Sequence, residues 1–208
     1  YTFGTRLTGS TIGPYSMAIG VDITSSGENS IGVGYKAISS GLYSAAFGSY
    51  SESSGSYGFA TGHHSTASGF CSTAIGNHIT SSSDSSIAMG YYTTASGNYS
   101  TAMGSHTVAT SSSSTAIGKY NVATRSGSGT EADPYTYTNA GNYAFIIGNG
   151  TGDATADRSN ALTVDWNGLL WTSGGISTNG SIKQSASSVS SGTNATALGI
   201  GTVATNNY

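Results

Sequence analysis

The chain has 208 residues, a formal net charge of −3 and only 7 % charged residues, where an ordinary domain carries about a quarter. Six Lys and Arg are too few to build a surface that tracks phosphates, so nucleic acid is excluded as a partner. The low charge also separates the chain from disordered compositions, two Pro exclude collagen, and no apolar run approaches the ~20 residues needed for membrane insertion. Cys71 is the only cysteine, so no intrachain disulfide can form. A polar chain with so little charge must satisfy its backbone in regular structure, and its Ser, Thr, Gly and Ala content favours an all-β architecture.

The first predicted element is a repeat. Gly20, Gly34, Gly48, Gly62, Gly76, Gly90, Gly104 and Gly118 recur every fourteen residues. Each closes a pentapeptide such as SMAIG, SAAFG or STAIG. A small residue stands two places before the glycine (Ala18, Gly32, Ala46) and usually a larger one immediately before it (Ile19, Val33, Phe47). This alternation predicts a strand with one small face and one bulkier apolar face. A second short segment follows, such as TTAS at 93–96 or TVAT at 107–110. Each unit therefore reads strand, turn, strand, turn, with glycine expected at the tight or left-handed turn positions. Fourteen residues are too few for a strand and a helix, which predicts a parallel β-roll over 1–124, roughly 38 Å long at the ~4.8 Å strand spacing. Such a coil is too thin to bury large residues on both faces. One set must fill the roll and the other must pack against another copy, so a homotrimer is expected. The sequence leaves open which face lies inside.

Residues 125–185 change character. RSGSGTEADPYTYTNAG is turn-rich, and the stretch after it carries both Trp residues and three Asn-Gly dipeptides, at 149–150, 167–168 and 179–180. Short strands are expected here, with Leu162, Val164 and Trp166 alternating, intertwined between subunits and capping the roll. The pattern then returns over 186–208: Val203, Ala204 and Thr205 follow Gly199 at the offsets at which Val122, Ala123 and Thr124 follow Gly118. A resumed coil is the expectation.

Two columns of residues fall at the corners of the coil. Two places after each repeat glycine stand Asp22, Lys36, Tyr50, His64, His78, Tyr92, His106 and Tyr120. Five places before it stand Tyr15, Asn29, Tyr43, Tyr57, Cys71, Ser85, Tyr99 and Ser113. Aromatic side chains on consecutive coils would stack about 5 Å apart. They form either a receptor-binding stripe, with Tyr50, His64, His78, Tyr92, His106, Tyr120, Tyr43, Tyr57 and Tyr99 as candidates, or a ladder that shields the backbone. Neighbouring coils, or three copies around an axis, could bring His63, His64, His78 and His106 together, but without His-x-His spacing or Cys or carboxylate companions no metal site is expected. Catalysis is not expected either. The acidic residues lie in or beside turns, GNGTGD lacks the Lys and helix of a phosphate loop, and Cys71 has no partner. No cofactor is implied.

The SxAxG units at fourteen-residue spacing resemble the head repeats of YadA-type trimeric autotransporter adhesins, over about 16–124 and again over 195–205. That resemblance implies a left-handed parallel β-roll that trimerises and binds host surfaces. GFATG, which lacks the leading Ser, and SIGVG, which has Gly for Ala, depart from it. The stretch from IGKYNVAT through YAFIIGNGT to RSNALTVDWNG is similar to phage and prophage tail proteins of Gram-positive bacteria. It implies a tail fibre or receptor-binding protein on a virion, with other tail or fibre components and a host-surface glycan or protein as partners. The alternatives are the head of a bacterial adhesin and a purely structural fibre spacer.

Overall fold

The computed structural model describes residues 2–3, 12–123, 143–165, 170–173, 189–191 and 203–205. The chain divides into two units, Tyr1–Ser173 and Gly174–Tyr208. Among the described residues there is no α-helix; the only helical element is a single 3₁₀ turn at Thr155–Asp157.

The first unit is a parallel β-solenoid. Strands at Met17–Val21, Ile31–Tyr35, Ala45–Ser49, Phe59–His63, Thr73–Asn77, Ile87–Tyr91, Thr101–Ser105 and Thr115–Lys119 lie side by side in one long sheet. Successive strands pair at an offset of fourteen, so Ala88 sits opposite both Ala74 and Ala102. Two-residue strands, from Ile38–Ser39 to Val108–Ala109, form the second sheet in the same register. The long strands begin one residue later than the pentapeptides and run one residue past the glycine.

The small face is the inner one. Ala46, Ala60, Ala74, Ala88, Ala102 and Ala116 are fully buried, and the Ser and Ala column of the short strands closes on them. Serine hydroxyls on facing columns pair inside: Ser25 with Ser30 at 2.9 Å, Ser39 with Ser44 at 2.7 Å and Ser81 with Ser86 at 2.7 Å. The larger residues before each glycine, such as Ile19, Phe47 and Met89, point outward and stay half-exposed.

Glycine does not occupy the left-handed turns, contrary to expectation. Sixteen non-glycine residues among those described have φ between 43° and 59°, and they are the two corner columns, from Tyr15 to Tyr120. A left-handed corner costs an ordinary residue roughly 1 kcal/mol or more. Coil-to-coil hydrogen bonding offsets it: Tyr50 N–H donates to Tyr35 O at 2.9 Å and His78 N–H to His63 O at 2.9 Å, and the other corner repeats the arrangement, with Tyr57 donating to Leu42 O at 2.8 Å. The repeat glycines serve close stacking instead. Gly76 has φ +133°, and a Cβ there would collide with the carbonyl oxygen of Gly90 on the next coil.

The roll continues into Tyr143–Asn149, which pairs parallel with the Thr115–Lys119 strand and sets Gly148 opposite Gly118. Asn160–Asp165 then pairs antiparallel with Tyr143–Asn149, and Leu170–Thr172 pairs antiparallel with Asn160–Asp165. Asn149-Gly150 is not a tight hairpin, because the connection runs over 150–159 and contains the 3₁₀ turn. Trp166 and the Asn167-Gly168 and Asn179-Gly180 dipeptides lie outside the described residues.

Two asparagines take the place of a strand at the end of the roll. Asn121 accepts from Val108 N–H at 2.7 Å and donates to Val108 O at 2.9 Å. Asn160 treats Val122 in the same way, at 2.8 and 3.0 Å. Each side-chain amide supplies one acceptor and one donor, which satisfies backbone groups that would otherwise form an open edge.

In the second unit, Val189–Ser191 pairs parallel with Val203–Thr205, with Val189 opposite Val203. The offset is again fourteen.

Candidate functional site

Identical backbone geometry at every coil fixes the corner side chains one above another, and the period converts sequence spacing into contact. The column two places after the glycine forms one continuous stack. Tyr50 and His64 lie 4.7 Å apart between ring centres at 5°, and His64 and His78 5.0 Å apart at 28°. His78 and Tyr92 follow at 4.4 Å, Tyr92 and His106 at 5.1 Å, and His106 and Tyr120 at 4.4 Å. Lys36 extends the stack on the Tyr50 side, its ammonium 5.4 Å from that ring centre. The Lys36 pKa is raised, first by its charge interaction with Tyr35 and then by that with Tyr50.

The other corner is less regular. Tyr43 and Tyr57 stack at 5.3 Å, and Phe70 meets Tyr57 edge-on at 5.6 Å. Tyr99, 64 % exposed, stands apart from that pair because Ser85 and Ser113 hold the same corner on the adjoining coils. Cys71 occupies this corner as an exposed free thiol. The structure thus assembles Tyr50, His64, His78, Tyr92, His106 and Tyr120 into one ladder and Tyr43 and Tyr57 into a second, shorter one.

A further column escaped the sequence reading. Tyr35, His63 and Tyr91 stand immediately after the glycine and flank the main stack edge-on. Tyr35 meets Tyr50 at 5.5 Å, His63 meets His64 at 4.4 Å, and Tyr91 meets Tyr92 at 4.6 Å. Their spacing of twenty-eight, every second coil, was the available signal.

Stacking decides what this surface offers. Ring faces inside the ladder are occupied by neighbours, so the outward groups are ring edges: phenol hydroxyls and imidazole nitrogens. Their separation is about one strand spacing, ~4.8 Å. Such a row suits hydrogen bonding along an extended partner better than face stacking against a single sugar ring. The His64 pKa is lowered, first by partial burial of the ring and then by the charges of His63 and His78.

The far end of the ladder is clamped. His106 Nε2 lies 3.4 Å from Asp153 Oδ2, and Arg158 donates to Asp153 Oδ1 at 3.1 Å. Arg158 also donates to the carbonyls of His106 at 3.2 Å and Asn121 at 3.4 Å. Ser105 Oγ lies 2.9 Å from His106 Nδ1, so serine, histidine and aspartate line up. The aspartate is shared with Arg158, and the cluster ties the 150–159 connection to the last coil.

The outer face of the long sheet is the other extended surface. Ile117 sits opposite Ile147, and Ile147 opposite Leu162. One row over, Phe145 sits opposite Val164, and Val164 opposite the exposed Leu170. The apolar row that starts at Ile19 therefore runs on across the added strands.

Comparison with known families finds the YadA head domain repeat at residues 25–51, 81–107 and 190–208. Among curated proteins, none matches the chain significantly.

Proposed function

We propose that the chain is an attachment segment of an extracellular homotrimeric fibre. The observation that supports it best is the outward apolar face. Alanines and serines, with a few isoleucines such as Ile23 and Ile79, fill the interior, so the roll does not use Ile19, Phe47, Met89 or Ile147 for its own core. Apolar side chains kept in one row across the sheet, broken only by Thr61, mark a surface that another chain covers. Three copies closing about one axis cover it without leaving open ends. The corner ladder then faces outward and contacts the host surface, a glycan or a protein, through its ring edges.

Within this reading the fibre is a phage tail fibre or receptor-binding protein on a virion, joined to other tail or fibre components. The GNGT and RSNA segments, whose Gly150, Arg158 and Asn160 bond to the last coil, support it. The head of a bacterial autotransporter adhesin is the second reading, favoured by the YadA head repeats at 25–51 and 81–107. Either way the module is structural and non-enzymatic.

Sedimentation equilibrium of the purified chain should return three times the chain mass, and a folded monomer refutes the assembly. Asn is tolerated at left-handed positions, so Tyr92→Asn with Tyr120→Asn removes rings while sparing the corners. Loss of adhesion to bacterial envelopes supports the receptor-binding role. Undiminished adhesion would make the ladder a structural device and the segment a spacer.

A further inference from the structure

Three imidazoles meet on the ladder without a role in the reading above. His63 ends the Phe59–His63 strand, His64 follows at the corner, and His78 holds the same corner one coil further on. Their ring centres lie 4.4 Å apart for His63 and His64, 5.0 Å for His64 and His78, and 5.6 Å for His63 and His78. One ring nitrogen from each can be chosen so that all three lie within 4.8 Å of one another. Tetrahedral zinc bound at ~2.0–2.1 Å places its nitrogen ligands about 3.4 Å apart. Rotation of the exposed His63 and His64 rings toward the half-buried His78 would close that difference.

The second nitrogen of His78 is already committed in the way a ligand requires. His78 Nδ1 lies 2.6 Å from Asn77 Oδ1, an acceptor, so Nδ1 carries the proton and Nε2 keeps its lone pair. Metal-binding histidines are oriented by such a bond on the far side of the ring.

We propose that His63, His64 and His78 form a binding site for a divalent transition-metal ion of the zinc class, with the remaining coordination position left to water. A donor set of nitrogen alone selects zinc, copper or nickel over magnesium and calcium, which take oxygen. The sequence argued against a metal because no ligand pair is spaced along the chain in a familiar way. The coil supplies the third ligand from fourteen residues away. His106 lies in the same column but outside the site, since Tyr92 separates it from His78 and its Nε2 faces Asp153.

Calorimetric titration of the full chain with zinc chloride is expected to show one ion per chain, and cobalt(II) should give the visible bands of a tetrahedral nitrogen site. His63→Gln should weaken zinc binding at least tenfold, by the scale of losses seen even for outer-shell partners. His106→Gln should leave binding unchanged. His63 is exposed at a strand end, so His63→Gln should melt like wild type without zinc, which separates ligand loss from misfolding. Three results overturn the proposal: no zinc uptake by the folded wild-type chain, binding that survives both His63→Gln and His78→Gln, or an equal loss in His106→Gln.

Discussion

Ser72 and Ser86 hold the same place in neighbouring coils, both fully buried, and replacing each by Ala should have opposite effects. Ser86 Oγ donates to Ser83 O at 2.6 Å and, its own proton thus used, accepts from Ser81 Oγ at 2.7 Å. Ser86→Ala removes both bonds and leaves the Ser81 hydroxyl buried without a partner, a cost of about 2 kcal/mol. Ser72 faces Ala67 instead of a serine, and its hydroxyl is buried with no hydrogen-bond partner. Ser72→Ala removes a group already desolvated for nothing, a gain of up to about 1 kcal/mol. For a chain of this size each kcal/mol moves Tm by about 2–4 °C, so the two variants should melt roughly 6–12 °C apart. Circular dichroism melts at matched protein concentration measure the gap and remove any effect of association. Ala67→Ser should supply the missing partner and raise Tm, as Ser81 does for Ser86. If Ser72→Ala destabilises as much as Ser86→Ala, paired hydroxyls are not what holds the interior and the reasoning fails.

Gly76→Ala should disrupt coil stacking, since it combines a strained φ with a collision against the Gly90 carbonyl; a loss of roughly 3 kcal/mol or more is expected, read from urea unfolding. Asn160→Leu should cost about 1–3 kcal/mol by orphaning the Val122 backbone, and light scattering should detect end-to-end association through the opened edge. The lowered pKa of His64 means that the unfolded chain binds the proton more tightly. Its contribution to stability is therefore fully present above the ordinary histidine value of about 6.5 and is lost as pH falls through the lower folded value. Melting temperature should fall on acidification across that window, and His64→Asn should flatten the fall; an unaltered profile would assign the acid sensitivity to other groups.

The period carried most of the fold into the sequence. Eight glycines in register gave the coil, its parallel pairing and both corner columns, because a solenoid places equivalent residues in contact. What the period could not give was direction. Small-inside and large-inside rolls share one alternating pattern, and only the geometry put Ala88 within and Met89 outside. Left-handed corners were legible as positions but not as conformations, since bulky Tyr and His rarely take positive φ unless the coil enforces it. The Tyr143–Asn149 strand was hidden because Gly148 falls thirty residues after Gly118, which breaks the fourteen-residue count although FIIG repeats the local pattern. Asn121 and Asn160 looked like turn formers. Their service as substitute strands depends on what lies opposite them, which no local pattern encodes.

The thin coil also explains why corners and outer face are where function can reside. An interior mostly of Ala and Ser, with isoleucine only at a few places such as Ile23 and Ile79, buries modest apolar area, so the hydrogen-bonded ladders carry much of the roll. The interior admits a large side chain only here and there, as at Ile23, which packs over Gly32, and at Ile79, so the bulky residues kept outward in register serve a surface rather than the core. Half of each coil thus answers to the stacking of its own chain and half to whatever covers it. The corners answer to both: their left-handed backbone is held by the coil, while their side chains are free to change from Lys36 to Tyr50 to His64 without disturbing it. A scaffold that fixes backbone so completely can vary its corner side chains one coil at a time, as the change from Lys36 to Tyr50 to His64 along one column does.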